Sequence, residues 1–515
     1  MRDWTWLLRA YARRRLGVLR RMDSRRTQER LLQSLVARAA KTRFGRDHEL
    51  NGIRTVADYQ SRVPVREYEA FWDEYWKEPF PRLEDCTWPG LVPFFALSSG
   101  TTRGSTKYIP VSHDIDRANA RAAKDVLVHH IANRPQSRIL AGRTLVLGGS
   151  TGLRPLAPGV QEGDLSGIAA GSAPFWARHR YFPTRDLEAI GDWETRIDRI
   201  ARRSLKEEIC GITGIPSWLL IYCDHLLAAA GRKDGRLADV YPDLELLVHG
   251  GISWHPYRDR FADLLSGTGA ETREVYPASE GFFAVADGAD GAGLRLLLDN
   301  GVFFEFVPVE EIGSASPTAH WVGDFETGVN YAVVVSTAAG LWRYSVGDTV
   351  SFIDRDPPRV LITGRTRFTL SAFGEHVIGA ELERAVAEAA ETVGAAVSDF
   401  TVGSRHSERA GDRGGHLYLV EFAAREVEGE RLDRFAQGVD SVLQRLNQDY
   451  GTHRSEGWGL DAPRVETVPP GGFVEWMKRR GKLGGQNKVP RVINDPEMLG
   501  SLREFARALR AHGDS

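Results

Sequence analysis

Residues 97–107 have the sequence LSSGTTRGSTK, which is the most informative segment of the chain. It places three Ser, three Thr, two Gly and a Lys together. Small residues let backbone N–H groups turn toward an anion, hydroxyls add donors and Lys adds charge, so this composition is typical of a phosphate-binding loop. A Walker A loop is excluded because Gly104 is followed by Ser105 and not by Lys. The alternative is a Ser/Thr-rich surface turn.

The sequence around this loop alternates between two periodicities. Short apolar runs bounded by Gly have the length and β-branched content of strands, at residues 144–148, 244–251, 301–307, 331–336 and 360–364. Residues 193–205 have helical spacing, and Pro216 stands where a first helical turn begins. Residues 1–80 are predicted to be mainly helical, with a break at 44–46. The alternation predicts an α/β fold.

The pattern changes after Gly364. A predicted helix at 381–391, an apolar strand at 416–422 and a polar helix at 428–448 precede a Gly- and Lys-rich segment. We therefore predict an N-terminal domain over residues 1–364 and a smaller C-terminal domain over residues 365–515. The Asp- and Gly-rich residues 287–293 are predicted to form an exposed hairpin or loop.

Composition excludes several classes of protein. The 515 residues are 42% hydrophobic and 26% charged, as in ordinary globular proteins, and 67 basic residues balance 69 acidic ones. The formal charge of -2 argues against nucleic acid as a partner. Three widely spaced Cys form no metal-binding pair and fit a reducing, cytoplasmic setting.

The N-terminal sequence MRDWTWLLRAYARRRLGVLRR contains no apolar run long enough for a signal peptide or a membrane span. Its apolar residues recur at helical spacing. We expect a helix that packs on its domain with Arg facing water, in preference to a role at a membrane surface, and no membrane insertion.

Three further segments have residues suited to nucleotide chemistry. Tyr276 offers a stacking face, and Glu280, in a turn after a predicted strand, is a carboxylate of the kind that Mg²⁺ prefers. Asp348 follows Gly347 in a turn that closes a predicted strand, where a carboxylate suits two ribose hydroxyls. Lys488, on a Gly-flanked loop, can approach a developing negative charge. For each of them the alternative is an ordinary solvated turn residue.

The order of these segments resembles the Gretchen Hagen family of acyl acid-amido synthetases, the plant auxin- and jasmonate-conjugating enzymes and their bacterial relatives within the adenylate-forming superfamily. The matching motifs are TRFG at 42–45, VPVREY at 63–68, SSGTT at 98–102, KYIP at 107–110, HGG at 249–251, YPASE at 276–280, WRY at 342–344, GD at 347–348 and QNKVPR at 486–491. The resemblance covers nearly the whole chain and suggests a bacterial-type member. It implies a large N-terminal adenylate-forming domain, with sheets flanked by helices, and a small mobile α+β C-terminal domain.

The resemblance also implies roles for single residues. The phosphate loop of the family matches Ser98, Ser99, Gly100, Thr101 and Thr102. Tyr276 and Ser279 match the wall around adenine and the acyl phosphate, Asp348 the ribose anchor and Glu280 the carboxylate that faces Mg²⁺. Lys488 matches the catalytic lysine expected at the α-phosphate, and rotation of the C-terminal domain about 364–365 would exchange it for a surface that admits the amine. The acyl substrate is expected beside Thr213, Ile215, Trp218, Gly250 and Gly251.

The expected activity is an ATP- and Mg²⁺-dependent ligase that activates a small carboxylic acid as its adenylate and transfers it to an amine, normally an amino acid. The alternatives are an acyl-CoA synthetase that uses the same adenylate and a nucleotide- or acyl-AMP-binding protein without turnover. Two positions depart from the plant pattern, Ser345 and His376. The pair His129-His130 is not a predicted metal site, because adjacent helical residues point apart.

Overall fold

The structure is a computed structural model that describes residues 2–98, 106–148, 152–172, 178–190, 193–232, 235–251, 254, 257–289, 291–312, 314, 316–366, 369–370, 373, 375, 377–405, 414–422, 427–455, 460–480 and 489–513. The described residues form two compact units, one within 1–98, 107–191 and 195–366, and the other mainly within 367–515, with Thr106, Trp193 and Glu194 also assigned to it. The functional roles expected of residues 1–364 and 365–515 remain predictions.

The first unit contains sixteen strands among its described residues. They are β1 (Phe94–Ser98), β2 (Lys107–Val111), β3 (Arg143–Leu147), β4 (Arg154–Ala157), β5 (Val160–Gly163), β6 (Tyr181–Phe182), β7 (Ile209–Gly214), β8 (Leu246–Gly250), β9 (Glu271–Ala278), β10 (Gly281–Val285), β11 (Leu294–Leu296), β12 (Val302–Pro308), β13 (His320–Trp321), β14 (Asn330–Thr337), β15 (Tyr344–Arg355) and β16 (Pro358–Arg365). All five apolar runs predicted as strands are confirmed, as β3, β8, β12, β14 and β16.

Twelve of these strands form one sheet in the order β13-β12-β14-β15-β16-β11-β10-β9-β8-β7-β3-β6. From β6 to β9 the neighbours run parallel, and from β9 to β13 they run antiparallel. The pairing of the strands therefore changes from parallel to antiparallel at the β9–β10 hairpin. A second sheet has the order β2-β1-β5-β4, so β1 and β2, which flank residues 99–106, are neighbours in it.

Helices accompany the strands of the first unit. They are α1 (Thr5–Arg20), α2 (Ser24–Ala39), α3 (Arg43–Asp47), α4 (Val56–Arg62), α5 (Tyr68–Phe71), α6 (His113–Asn133), α7 (Leu165–Ser172), α8 (Arg185–Glu188), α9 (Trp193–Ser204), α10 (Pro216–Ala229) and α11 (Arg258–Leu265). Pro216 occupies the first helical position of α10 as predicted, where its missing N–H costs no hydrogen bond. None of the helices in the described ranges combines the length and the apolar character that a membrane-spanning segment needs.

Two local predictions for the first unit need correction. Residues 44–46 do not break a helix but lie inside α3, and the break falls before it, where Thr42 caps α3 by accepting a hydrogen bond from the Gly45 N–H at 3.0 Å. The stretch 287–293 does connect a hairpin, β10–β11. Its first residue is not exposed, since the Asp287 side chain is 7% accessible and pairs with Arg359 at 2.9 Å.

The second unit contains a four-stranded sheet in the order β21-β20-β19-β22, together with the short β17–β18 pair. Its strands are β17 (Thr369–Leu370), β18 (Val377–Ile378), β19 (Val397–Arg405), β20 (Gly415–Phe422), β21 (Arg464–Val468) and β22 (Val492–Ile493). Its helices are α12 (Gly379–Thr392), α13 (Glu430–Leu446), α14 (Gln448–Ser455), α15 (Gly472–Arg479) and α16 (Pro496–Gly513). The predicted helix, strand and polar helix of this region are confirmed as α12, β20 and α13.

A buried histidine connects three elements of the first unit and makes its stability depend on pH. His130 Nδ1 lies 2.7 Å from Glu271 Oε1, and its Nε2 lies 3.5 Å from Glu245 Oε2. Burial opposes protonation, but the two carboxylates outweigh it and raise the pKa of His130. Burial likewise works against ionisation of Glu245 and Glu271, yet their hydrogen bonds with His130 and their other partners lower the pKa of both carboxyls.

The sign of the pH dependence follows from these directions. The contribution of protonated His130 is complete below its ordinary pKa of about 6.5 and is lost as the pH rises through the higher folded value. We expect His130→Gln to lose about 2 kcal/mol of unfolding free energy at about pH 6 and clearly less at about pH 9, measured by urea denaturation.

His129→Gln is the matched control, because burial lowers the pKa of His129 to about 4. A histidine with a lowered folded pKa loses stability on acidification through its unfolded value, so the effect of this substitution shifts with pH in the opposite direction. An equal loss for His130→Gln at both pH values would contradict the charged role of His130.

Candidate active site

The YPASE motif lies at the β9–β10 hairpin. Tyr276 is inside β9 rather than after it, and Ser279 and Glu280 form the turn, with Ala278 opposite Gly281 in the register. The Tyr276 ring is buried and meets the Phe283 ring edge-on, with centroids 5.1 Å apart. The hairpin thus holds Tyr276 within the sheet and places Glu280 where the parallel part of the sheet ends.

Asp348 lies in β15, and the strand does not close there as the sequence predicted. Between Ser345 and Thr349, β15 has more residues than the facing stretch of β14, where Val334 and Ala332 are their partners. Gly347 has φ +92 in this bulge, a conformation that side-chain-bearing residues rarely adopt. The bulge interrupts the regular pairing of β14 with β15. It therefore gives Asp348 a different direction from the one it would have in a regular strand.

The two motifs meet directly. The Tyr276 hydroxyl donates a hydrogen bond to Asp348 Oδ2 at 2.7 Å, and both side chains are buried. A carboxylate has two oxygens and several acceptor positions, so this bond leaves acceptor capacity on Asp348 for a second donor. Residues 72 positions apart in the chain therefore form one unit of the candidate site.

Glu280 is as buried as Asp348, at 8% exposure for each residue. Burial raises the pKa of Glu280; Lys107 lowers it, the Asp348 carboxylate adds to the rise, and the Tyr344 hydroxyl opposes it. Two neighbouring carboxylates in such surroundings fit a hard cation, since Mg²⁺ binds one or two carboxylates together with phosphate oxygens.

Two residues extend this group: Lys107, the lysine of the predicted phosphate-binding loop, and Tyr344, for which the sequence analysis predicts no role of its own. Lys107 Nζ lies 5.5 Å from the centre of the Tyr68 ring, and Tyr68 Oη accepts a hydrogen bond from the Tyr108 N–H at 3.0 Å. Lys107 also faces Ser98 across the β1–β2 ladder. The sequence did contain a signal for both residues, because they lie in the motifs at 107–110 and 342–344 that carry the family resemblance. In addition, a carboxylate at 280 needs a nearby cation if it is buried.

Several predicted residues lie outside the described part of the chain. These are Ser99, Gly100, Thr101, Thr102, Lys488 and His376. Ser98, the first residue of the predicted phosphate loop, is half-buried at the end of β1. Their roles stay predictions.

The residues predicted for the acyl substrate lie at the carboxyl ends of the parallel strands β7 and β8. Thr213 pairs with Val248 there, and Ile215 begins the connection to α10, where Trp218 is buried. Gly251 has φ +84, and a Cβ built on it would lie 3.8 Å from Ile215 Cγ1. The structure thus brings Ile215 and Gly251 together at an edge where α/β sheets commonly bind ligands.

Gly250 has a structural reason to be glycine. A Cβ at this position would lie 2.3 Å from the Val275 carbonyl oxygen, so the backbone that approaches Gly250 closely is that of β9. The neighbouring His249 is buried, and its ring stacks on Trp254 with centroids 3.7 Å apart. Burial lowers the pKa of His249 to about 3, so the ring is neutral near pH 7.

Models of the three domains of one protein family match the sequence of this chain. The model of the GH3 family N-terminal domain matches residues 20–148, that of the central domain residues 295–365 and that of the C-terminal domain residues 380–497. Together they cover more than half of the chain.

Two plant relatives illustrate the range of similarity. The indole-3-acetic acid-amido synthetase GH3.8 of Oryza sativa subsp. indica is 27% identical over 332 residues, which is 58% of this chain and 52% of that protein, so the match spans about half the length of this relative. The indole-3-acetic acid-amido synthetase GH3.4 of Arabidopsis thaliana is 22% identical, over 93% of this chain and 90% of that protein. The bacterial-type assignment stays a prediction.

Solved structures show the same fold. The acyl acid amido synthetase AtGH3.15 in complex with 2,4-DB has a TM-score of 0.60 at 18% identity, covering 95% of each chain. The 2-hydroxyisobutyryl-CoA ligase in complex with 2-HIB-AMP and CoA has a TM-score of 0.59 at 18% identity, covering 96% of this chain and 94% of that one. The α/β prediction is confirmed, the chain has the fold of these two solved structures, and it belongs to the GH3 family.

Proposed function

We propose that this protein uses ATP to activate a small carboxylic acid and transfers the acyl group to the amine of an amino acid, in the cytoplasm. The observation that supports this function is the meeting of Tyr276, Glu280 and Asp348 in a chain of the GH3 family. These residues come from two separate motifs. Tyr276 donates to Asp348, whose charge in turn acts on the buried Glu280, so a stacking face, a hydrogen-bond acceptor and a buried carboxylate lie in one region.

Two steps account for the chemistry. In the first step a carboxylate oxygen of the acid attacks the α-phosphorus of ATP, and the bond to pyrophosphate breaks. In the second step the amine nitrogen attacks the acyl carbonyl carbon and the bond to AMP breaks. A proton then leaves the nitrogen. Both partners of the first step are anions, so the protein acts mainly by alignment and charge neutralisation.

The roles divide among the candidate residues as follows. Residues 98–102 bind the phosphates, Asp348 accepts from the ribose, Tyr276 and Ser279 line the adenine and acyl phosphate, and Lys488 faces the α-phosphate. Mg²⁺ bound at Glu280 would neutralise phosphate charge. The acid lies beside Ile215 and Gly251, with Thr213 and Trp218 near it.

The test is an assay of the pure protein with ATP, Mg²⁺ and hydroxylamine across aryl, indolyl, fatty and amino acids. We expect acid-dependent pyrophosphate release together with hydroxamate. Replacing hydroxylamine by amino acids or by CoA then distinguishes an amide synthetase from a thioester-forming enzyme. Nucleotide binding without pyrophosphate release from any acid would contradict the proposal.

Asp348→Asn tests the ribose contact. Removing the negative charge weakens a charge-assisted hydrogen bond, so we expect the KM for ATP to rise about tenfold while the KM for the acid stays within about twofold. Tyr276→Phe should raise the KM for ATP less, because it removes only the donor that orients Asp348.

The matched control for this test is Asp356→Asn, an exposed aspartate just beyond the end of β15. Like Asp348→Asn, this substitution removes one negative charge, but at a position outside the candidate site. A rise in the KM for ATP of equal size in Asp348→Asn and Asp356→Asn would contradict a specific role for Asp348.

A further inference from the structure

The N-terminal helix α1 concentrates positive charge. Residues 1–21 contain seven Arg and one Asp, a formal charge of +6, in a chain whose total is -2. The other residues therefore sum to -8. Such an asymmetry is typical of a surface that meets an anionic partner.

One side of α1 is fixed to the first unit, as the sequence predicted. Leu8 and Ala12 are buried in a cluster with Val128 and Ile131 of α6. Arg15 is buried on the same side and is held by two carboxylates, with Nη2 2.6 Å from Asp125 Oδ2 and Nη1 2.6 Å from Asp299 Oδ2. The helix is therefore anchored along its length, and its opposite side stays directed away from the core.

That opposite side, here called the outer face, consists of Trp6, Leu7, Arg13, Arg14 and Val18. Trp6 is 62% exposed, Leu7 48% and Val18 47%. Helical spacing places these residues on one arc, with the arginines one to two turns from the apolar side chains. A helix face that combines exposed large apolar side chains with arginines has the pattern of an interfacial helix.

The arginines of the outer face have no acidic partner among the residues that the structure describes. Within the ranges that the structure covers, no carboxylate lies at ion-pair distance from Arg13 or Arg14, whereas Arg15 beside them has two. Arg2, Arg20 and Arg21 at the two ends of the helix are exposed as well. α1 itself contains no acidic residue.

The sequence alone favours packing of α1 over a role at a membrane surface, but the structure shows packing on one side only, and we propose that the outer face of α1 adsorbs to the surface of a bilayer that contains anionic phospholipids. A planar array of phosphate headgroups matches arginines spread along the length of a helix, and the boundary to the acyl chains accepts Trp6, Leu7 and Val18. The helix is already folded and anchored, so adsorption needs no ordering of the chain and leaves the Arg15 contacts intact. The bilayer is not crossed.

The test is co-sedimentation of the full chain with vesicles of phosphatidylcholine alone and of phosphatidylcholine mixed with phosphatidylglycerol. We expect binding to the mixed vesicles that weakens with added salt, and at most weak binding to phosphatidylcholine. Arg13→Gln/Arg14→Gln should weaken binding roughly 30-fold, and Trp6→Ala/Leu7→Ala about tenfold.

The matched control is Arg25→Gln/Arg26→Gln on α2, where two exposed arginines are paired with Glu29 and Asp23. This variant removes the same charge and should bind as the unchanged protein does. Three results would overturn the proposal: no binding to the mixed vesicles at low salt, equal losses in both arginine variants, or a dimer in gel filtration that is lost in Trp6→Ala/Leu7→Ala. Binding to soluble polyglutamate but not to vesicles would overturn it in favour of an acidic protein partner.

Discussion

Replacing Lys488 by alanine lowers the rate of acid-dependent pyrophosphate release by about 10² to 10³, the usual effect of removing one donor that stabilises a transition state. The acid carboxylate and the α-phosphate are both negative, and their repulsion grows as the new bond forms. A lysine that approaches only at this stage stabilises the transition state more than bound ATP. The loss should therefore appear in kcat, with the Kd for ATP changed by no more than about threefold.

The chain offers a close control for this variant. Lys482 lies in the same Gly-rich segment, six positions before Lys488, and Lys482→Ala should keep the unchanged rate. Lys488→Arg retains the charge but not its compact shape, so it should recover only part of the activity. If Lys488→Ala and Lys482→Ala lose the same small amount, Lys488 is an ordinary solvated lysine. If neither the unchanged protein nor Lys488→Ala turns over while both bind ATP equally, the nucleotide-binding alternative is correct.

Much of the fold could be predicted, because buried positions are occupied mainly by apolar residues and their spacing differs between strands and helices. The run at 301–307 is apolar except for Glu305, and in the structure β12 is buried at every position, as a strand with both faces covered requires. The break in the N-terminal helices could not be placed correctly from the sequence, because it falls where the Thr42 side chain caps α3. Gly45 lies inside α3 and is needed there for packing, since a Cβ on it would lie 2.0 Å from the Ala39 carbonyl oxygen.

The candidate site was predictable as a set of residues but not as an arrangement. The sequence predicts Tyr276 and Asp348 from two separate motifs, and a single sequence does not show that a bulge at Gly347 lets them share a hydrogen bond. Likewise, Gly250 looked suited to a ligand, whereas the atom that approaches it is the carbonyl oxygen of Val275 on the next strand. Strand order and register, which are tertiary properties, decide such cases.

A buried ion pair between Glu305 and Arg343 holds the WRY motif in place. Breaking this pair is the second change for which we expect a large effect. Glu305 in β12 is fully buried, and both of its oxygens accept from Arg343 Nε at 3.1 Å. Arg343 Nη1 also donates to the carbonyl oxygens of Gln60 at 3.0 Å and Val63 at 2.7 Å. Arg343 has φ +46, a conformation that is rare outside glycine, so these contacts hold strained backbone directly before Tyr344.

Breaking this pair from one side leaves a buried charge without its partner. We expect Glu305→Leu and Arg343→Met each to lose about 3 to 5 kcal/mol of unfolding free energy, measured by urea denaturation with tryptophan fluorescence. The double variant removes both charges, so its loss should be about 2 to 3 kcal/mol smaller than the sum of the two single losses. The recovery is incomplete because the Gln60 and Val63 carbonyls still lack their donor. The exposed pair Arg25–Glu29 on α2 is the matched control, with an expected coupling of about 0.3 to 0.5 kcal/mol. Additive losses at Glu305 and Arg343 would mean that the ion pair does not couple β12 to the segment that carries Tyr344 and Asp348.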